Sequence, residues 1–296
     1  MSQTHVGTAM VALSAAGFAT LPIFMKFAFT GGANILTILG FRFILASIIL
    51  WIILIMNHHS FHISAKHLFQ LMGILGLGYG TMSFLYAVTV ENLSASLSTL
   101  LLYTYPALVT VLSFLIGDER LSWKKMIALL ICFSGLALIL GISASEVKLI
   151  GLVTGFSAAF VYACYIIIGN RVLKQVESLV AATYVCTSSG ILFVLLGVSS
   201  SSLIVGLPVS VWLALLGIAF LGTIVGIVGF FGGITRIGAA NASIISTLEP
   251  VITVGLSVFL LGDALSVFQI VGGFLIIAGV FIIQFCDDTE STIISV

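Results

Sequence analysis

Charge is what this chain has least of. Ten Lys and Arg and ten Asp and Glu make up 7% of 296 residues, and the formal net charge is zero. A soluble domain carries about 25% charged residues because its surface faces water. The deficit therefore excludes a water-facing exterior, and the balance of signs gives no hint of a nucleic-acid partner. The closing "CDDTESTIISV" reads as a short solvated end. Cysteine is sparse as well. Cys132, Cys164, Cys186 and Cys286 lie far apart with no C-x-x-C spacing, so neither a zinc site nor a redox pair is indicated. No ATP-binding P-loop, H-E-x-x-H or G-x-S-x-G occurs, so no enzyme, cofactor or metal is expected. The opening "MSQTHVGTAMVALSAAG" lacks the Lys/Arg start of a secretory signal. Its apolar run of roughly 24 residues exceeds the usual signal core of about 7–15, so it is expected to stay as a first span.

What the chain does have is apolar length. Hydrophobic residues make up 60% and the mean hydropathy is +1.32. A helical span needs about 20 apolar residues. Cutting at polar or turn-rich breaks such as "GGAN", "ENLS", "RIGA" and "GDALS" gives ten, at 6–28, 34–56, 68–90, 93–116, 124–143, 150–169, 179–198, 209–233, 238–261 and 266–285. The expectation is an all-α integral membrane protein of ten transmembrane helices, with the lipid bilayer as its first partner. With the N-terminus inside, the cytoplasmic loops hold Lys66, Arg120, Lys124, Lys125, Arg171, Lys174 and Arg236, against Lys26 and Lys148 outside. That asymmetry predicts cytoplasmic N- and C-termini. The loop "NHHSFHISAKH" holds four of the five histidines but in no metal-site spacing, and reads as a solvated connection.

The chain also repeats itself. At an offset of 144, the segment starting at Ser96 lies without gaps over the one starting at Ala240: Pro106 meets Pro250, Glu119 meets Asp263, and Gly135 meets Gly279. Five spans per copy is an odd number, so the copies at 1–144 and 145–296 must sit in opposite orientations. The cations agree, because "GDERLSWKK" carries Arg120, Lys124 and Lys125 whereas its mate "GDALSVFQ" carries none. Two inverted repeats rocking about a midplane site are a transporter arrangement.

The segments "LGFRF", "AVTVENLSASLSTLLLYTYPALVTVLSFLIGDERLS" and "GAANASIISTLEPVITVGLSVFLLGDALS" resemble the EamA-type members of the drug/metabolite transporter superfamily, and the likeness runs over essentially the whole chain. One departure is Gly262–Asp263, where the family usually has Gly-Glu. The resemblance implies a ten-helix, basket-like carrier in a bacterial cell membrane that exports or exchanges small metabolites such as amino acids, related compounds or drugs.

Within that frame Glu249 stands out. It lies 11 residues after Gly238 and 12 before Leu261, roughly 16–18 Å from either end of its span. An ionised residue at such depth costs about 2.5–3.5 kcal/mol on insertion scales, so it must face protein or water. Its functional reading is a proton site or a partner for a substrate ammonium. Its structural reading is a carboxylate paired to a cation, or one serving the backbone freed by Pro250, which leaves the carbonyl of Ser246 without its N–H. Arg42 is the one strongly basic residue deep in a span. It could bind a substrate carboxylate, pair with Glu249, or anchor onto helix carbonyls. Lys26, near a span end, can snorkel to the surface.

Polar and aromatic residues gather in four spans, with Tyr79 and Tyr86 in the third, Ser98 and Tyr103 in the fourth, Tyr162 and Tyr165 in the sixth, and Asn241 and Ser246 in the ninth. Such residues also serve as packing glue, but together they suggest a polar-lined cavity whose Tyr faces suit apolar or cationic substrates. Pro22, Pro106 and Pro250 mark expected kinks and candidate gates. Glycines at 222, 226, 229 and 233 form one smooth stripe for close packing, and "GILGLGYG" lacks the strand-turn-helix setting of a phosphate loop. A single deep cation argues against phosphorylated cargo such as nucleotide sugars. The expected ligand is a small molecule, with protons as a candidate coupling ion. Nothing in the sequence sets the oligomeric state.

Overall fold

The computed structural model describes the backbone of residues 3–57, 63–117, 123–142, 148–173, 175–246 and 248–294. Side chains at 139–142, 234–235, 238–244 and 283–294, with a few single positions, lie outside the description. The described chain is helical apart from its connections, of which 202–208 is the longest. α1 (Gln3–Ala19) and α2 (Leu21–Thr30) are followed by α3 (Ile35–Met56). A short α4 (Ala65–Leu68) passes through a π-helical turn, Phe69–Leu75, into α5 (Gly76–Asn92). Then come α6 (Ala95–Leu102), α7 (Tyr105–Leu115), α8 (Trp123–Ile142), α9 (Leu149–Leu173) and α10 (Ser178–Ser199). α11 (Val209–Ala219) runs through a second π turn, Phe220–Val225, into α12 (Gly226–Ser246). α13 (Leu248–Leu256) ends in a third, Ser257–Leu261, before α14 (Val267–Ile294). Among the described residues, seven segments are long and apolar enough to cross a membrane, and Met126–Leu138, Leu248–Leu261 and Val267–Ile282 are shorter apolar helices.

The breaks follow from local chemistry. "GGAN" ends in Asn34, whose side chain accepts the amide of Thr37 at 2.9 Å as the N-cap of α3. "ENLS" ends in Ser94, which caps α6 through the amide of Leu97 at 3.2 Å. Both satisfy donors that a helix start leaves open. "GDALS" begins at Gly262, held at φ 70°, and Asp263 accepts a hydrogen bond from Ser257. "RIGA" behaves differently from the sequence expectation, because α12 runs through it from Gly226 to Ser246. Glycine weakens a helix by only about 1 kcal/mol and the flanking alanines favour one, so without a proline or a cap nothing there ends it. Of the "GDERLS" motif only Gly117, held at φ 78°, is described, and 118–122 lie outside the described residues.

Two prolines open new helical segments inside spans. Pro22 and Pro106 sit in the first turns of α2 and α7, where a missing N–H costs nothing. The same device precedes each: the Thr20 hydroxyl donates to the Gly17 carbonyl and the Thr104 hydroxyl to that of Leu101, both at 2.7 Å. The repeated Thr-x-Pro is visible in the sequence as "TLP" and "TYP". Pro250 also lies in the first turn of its helix, as the third residue of α13.

Packing uses glycine as a spacer. α8 lies against α14, α1 against α12, α3 against α10, and α5 against α9. A Cβ at Gly135 would stand 2.5 Å from the Gly272 carbonyl oxygen, and one at Gly279 would stand 2.8 Å from that of Ala128. Between them Cys132 donates to the carbonyl of Ile276. A Cβ at Gly151 would fall 2.5 Å from Leu93, and one at Gly7 would fall 2.6 Å from Ile237. Each second pair is the first shifted by 144 residues, with the partners exchanged between halves. The numbering rises along α8 as it falls along α14, so those two helices cross antiparallel. Loops that the ten-span scheme puts on one side also meet, since the Asn34 amide donates to the Ser202 carbonyl at 2.6 Å and His67 hydrogen-bonds Gln175 at 2.9 Å.

Candidate functional site

Glu249 stands in the first turn of α13, directly before Pro250. Pro250 has no N–H for the carbonyl of Ser246, four residues back, and the structure supplies a substitute from another span. The Tyr103 hydroxyl lies 2.9 Å from the Ser246 carbonyl oxygen and 3.1 Å from Glu249 Oε2. Tyr103 is buried where α6 gives way to α7. The polar partner expected at the Ser246 carbonyl is the Tyr103 hydroxyl, which also lies within reach of Glu249.

From Tyr103 a series of rings leads across the protein. Tyr103 meets Tyr105 edge-on with centroids 5.9 Å apart, and Tyr105 meets Tyr162 at 4.7 Å. Tyr162 stacks on Tyr165 at 5.9 Å, and Tyr165 tilts against Tyr79 at 5.4 Å. These are the offset and edge geometries that ring quadrupoles favour. Tyr79, Tyr105, Tyr162, Tyr165 and Glu249 are each only partly buried, so this line of rings borders accessible space.

Arg42 lies at the far end and is 2% exposed. Its Nε donates to Thr223 Oγ1 at 3.1 Å and one terminal nitrogen donates to the Tyr79 hydroxyl at 3.4 Å, while the guanidinium carbon sits 4.8 Å from the centroid of the Phe43 ring. Thr223 belongs to the π turn after α11, where its hydroxyl also donates to the carbonyl of Ile218. Such turns loosen the regular ladder and leave a carbonyl for a side chain to serve. Arg42 and Glu249 are not each other's partners. Of the three roles open to Arg42 on sequence grounds, the geometry is that of an interior anchor, made onto side chains instead of carbonyls.

The remaining candidates divide. Tyr86 is buried and hydrogen-bonds Thr99 at 3.1 Å. Ser98 is fully buried and donates to the Ser94 carbonyl at 2.8 Å within its own helix. Ser246 contributes its backbone oxygen to Tyr103. Asn241 lies on the backbone of α12 with its side chain outside the described residues. Lys26 is half-buried near the end of α2. Tyr105 and Thr223 join the site without standing among the residues that the sequence singles out. Both carry a signal there, because the 144-residue offset puts Tyr105 opposite Glu249 and Thr223 opposite Tyr79.

Long apolar helices, seven of them long enough to span a bilayer among the described residues, mark a multi-pass membrane protein with a line of tyrosine rings inside the bundle. The chain belongs to the EamA-like transporter family, whose description matches residues 5–141 and again 149–285. It is 26% identical over 280 residues to an uncharacterized transporter of Bacillus subtilis, covering 91% of this chain and 90% of that one. It is 24% identical over 221 residues to a probable amino-acid metabolite efflux pump of Salmonella typhimurium, covering 70% and 73%. A solved crystal structure superposes with a TM-score of 0.69 at 17% identity, covering 95% of this chain and 96% of the other.

Proposed function

We infer that this protein is a secondary transporter, not an enzyme, that exports or exchanges small ammonium-bearing metabolites, amino acids or related compounds, across a bacterial inner membrane with both termini in the cytoplasm. The observation that carries the reading is Glu249: a partly accessible carboxylate inside the bundle, hydrogen-bonded by Tyr103, with no cation beside it among the described residues, at the head of a line of tyrosine faces. A carboxylate next to aromatic faces attracts an ammonium group by charge and by ring quadrupole together. It can equally load a proton, which gives a gradient-driven cycle its coupling ion. The name of the Salmonella relative, an amino-acid metabolite efflux pump, points the same way.

Ten spans arranged as two inverted halves, 1–144 and 145–296, supply the alternating access. Support comes from the exchanged contacts, Gly135 on Gly272 with Gly279 on Ala128, and Leu93 on Gly151 with Ile237 on Gly7. A two-fold operation with the 144-residue offset interconverts the members of each set, and the antiparallel crossing of α8 and α14 is what inversion demands. Arg42 is assigned to the scaffold. It joins Tyr79 and Thr223, which are themselves 144 residues apart, and so ties one half to the other at equivalent points.

The test is flux in sealed proteoliposomes loaded with mixed amino acids, with and without a pH gradient. Glu249→Gln is expected to reduce gradient-driven flux to background while the purified protein keeps its size-exclusion profile. Coupled transport at the wild-type rate in that variant would sink the assignment.

A further inference from the structure

The three tyrosines in the middle of the ring line differ from those at its ends. At the ends the hydroxyls are committed: Tyr79 accepts from Arg42 at 3.4 Å, and Tyr103 lies 3.1 Å from Glu249 Oε2. Among the described residues, the hydroxyls of Tyr105, Tyr162 and Tyr165 have no hydrogen-bond partner. Nor are they sealed away, because the closed-off side-chain oxygens without a partner are those of Ser83 and Ser96. The three phenols therefore open onto the space that the ring line borders, inside the bundle.

We propose that the hydroxyls of Tyr105, Tyr162 and Tyr165 hold the carboxylate of a zwitterionic substrate whose ammonium lies on Glu249. The inference rests on Glu249 as the ammonium partner and adds the opposite end of the same ligand. A buried hydroxyl without an acceptor forgoes a hydrogen bond, and a bound anion restores it. Bonds from a hydroxyl to a carboxylate are short and roughly twice as strong as neutral ones. Two or three together favour the charged form of a carboxylate even away from water. Glu249 stands at the head of the same line and repels a lone anion. The anion admitted is then one that brings its own ammonium. Arg42 is engaged elsewhere, with Thr223 and Tyr79.

The repeat supports this placing. At the offset of 144, Tyr105 is the counterpart of Glu249, and each directly precedes a proline in the first turn of its helix. Two equivalent places thus carry a charged acceptor and a neutral donor, the complements of an ammonium and a carboxylate. Tyr162 meets the Tyr105 ring at 4.7 Å and stacks on Tyr165 at 5.9 Å, three residues further along one face of α9. The donors therefore come from two spans in contact, α7 and α9.

The experiment is equilibrium binding to the full chain in lipid nanodiscs, at one pH where the amines of both probes are charged. One probe is a radiolabelled mixture of amino acids. The other is the mixture of their amides, in which a neutral group replaces the carboxylate. Changing all three tyrosines to phenylalanine keeps the rings and removes only the hydroxyls. It should raise the half-saturating concentration for the amino acids about tenfold or more, as lost bonds to a charged group do. The value for the amides should stay unchanged. Equal weakening for both probes, or for neither, overturns the proposal. The hydroxyls have no described partner in the protein, so the triple variant should keep its unfolding temperature. Should it fail to assemble, Tyr105→Phe and Tyr162→Phe carry the same comparison singly. Glu249→Gln should weaken both probes, since both carry the ammonium. Undiminished binding in that variant removes the ammonium assignment, while the difference between acids and amides still decides the tyrosines. If neither probe binds the wild type, both assignments fall.

Discussion

Arg42→Ala is expected to prevent stable assembly. The side chain is 2% exposed and donates to Thr223 and Tyr79 on two other spans, so its removal leaves both hydroxyls without that donor and opens a cavity behind Phe43. Cavity creation by truncating a large buried side chain costs about 2–5 kcal/mol, and losing the donors adds to it. Arg42→Lys should recover only part, since an ammonium on a flexible stem cannot reproduce the fixed fork of a guanidinium. The measurement is thermal unfolding in detergent together with the monodisperse yield. A second arm separates this role from an ion pair with the acid. Adding Glu249→Gln to Arg42→Ala should give no rescue, because the two side chains have different partners. Recovery of yield in the double variant would overturn the anchor assignment.

The second large effect belongs to the glycines between α8 and α14. At Gly279 a Cβ would stand 2.5 Å from Cys132 Sγ, 2.8 Å from the Ala128 oxygen and 3.0 Å from the Cys132 nitrogen. At Gly135 it would stand 2.5 Å from the Gly272 oxygen and 3.0 Å from the Ile276 nitrogen. Backbone atoms cannot step aside as a flexible side chain can, so valine at either position must force the helices apart. Overpacking costs typically about 1–3 kcal/mol and at times more. In a bilayer, where close packing is a main source of helix association, that loss falls on the interface itself. Gly135→Val and Gly279→Val should lower the unfolding temperature by similar amounts, as exchanged contacts require. Gly255→Ala, at a position with nothing within 4 Å, should be neutral or slightly stabilising. A strong effect at one glycine and none at the other would count against the paired halves.

Broken spans at Pro22 and Pro106 are legible in the letters of the chain because a missing N–H acts locally and needs no neighbour. The caps at Asn34 and Ser94 are legible for the same reason. The "RIGA" break is an over-reading, since glycine and polar residues lower helix propensity without ending a helix. The offset of 144 comes from aligned letters, and the glycine contacts repeat it in space. Adjacency between helices is what the letters hide. Tyr103 and Tyr105 share one span, Tyr162 and Tyr165 share a face of α9 at i,i+3, and Tyr79 stands on a third, and nothing along the chain says that these three groups meet. Arg42 has three possible partners on sequence grounds because each lies at a compatible depth, and depth does not tell which way a helix faces.

Arg42 also bears on the ancestry of the chain. Carried forward by 144, position 42 becomes Cys186, which is buried in the same core as Phe43. If both halves descend from one duplicated unit, the parent arginine would have appeared twice at the seam where the copies face each other. Two buried guanidiniums there would repel and compete for the same pair of hydroxyls, so one had to be given up. A small thiol at position 186 avoids that conflict. The halves that pack as equals are therefore unequal in charge at two equivalent places, Arg42 against Cys186 and Glu249 against Tyr105.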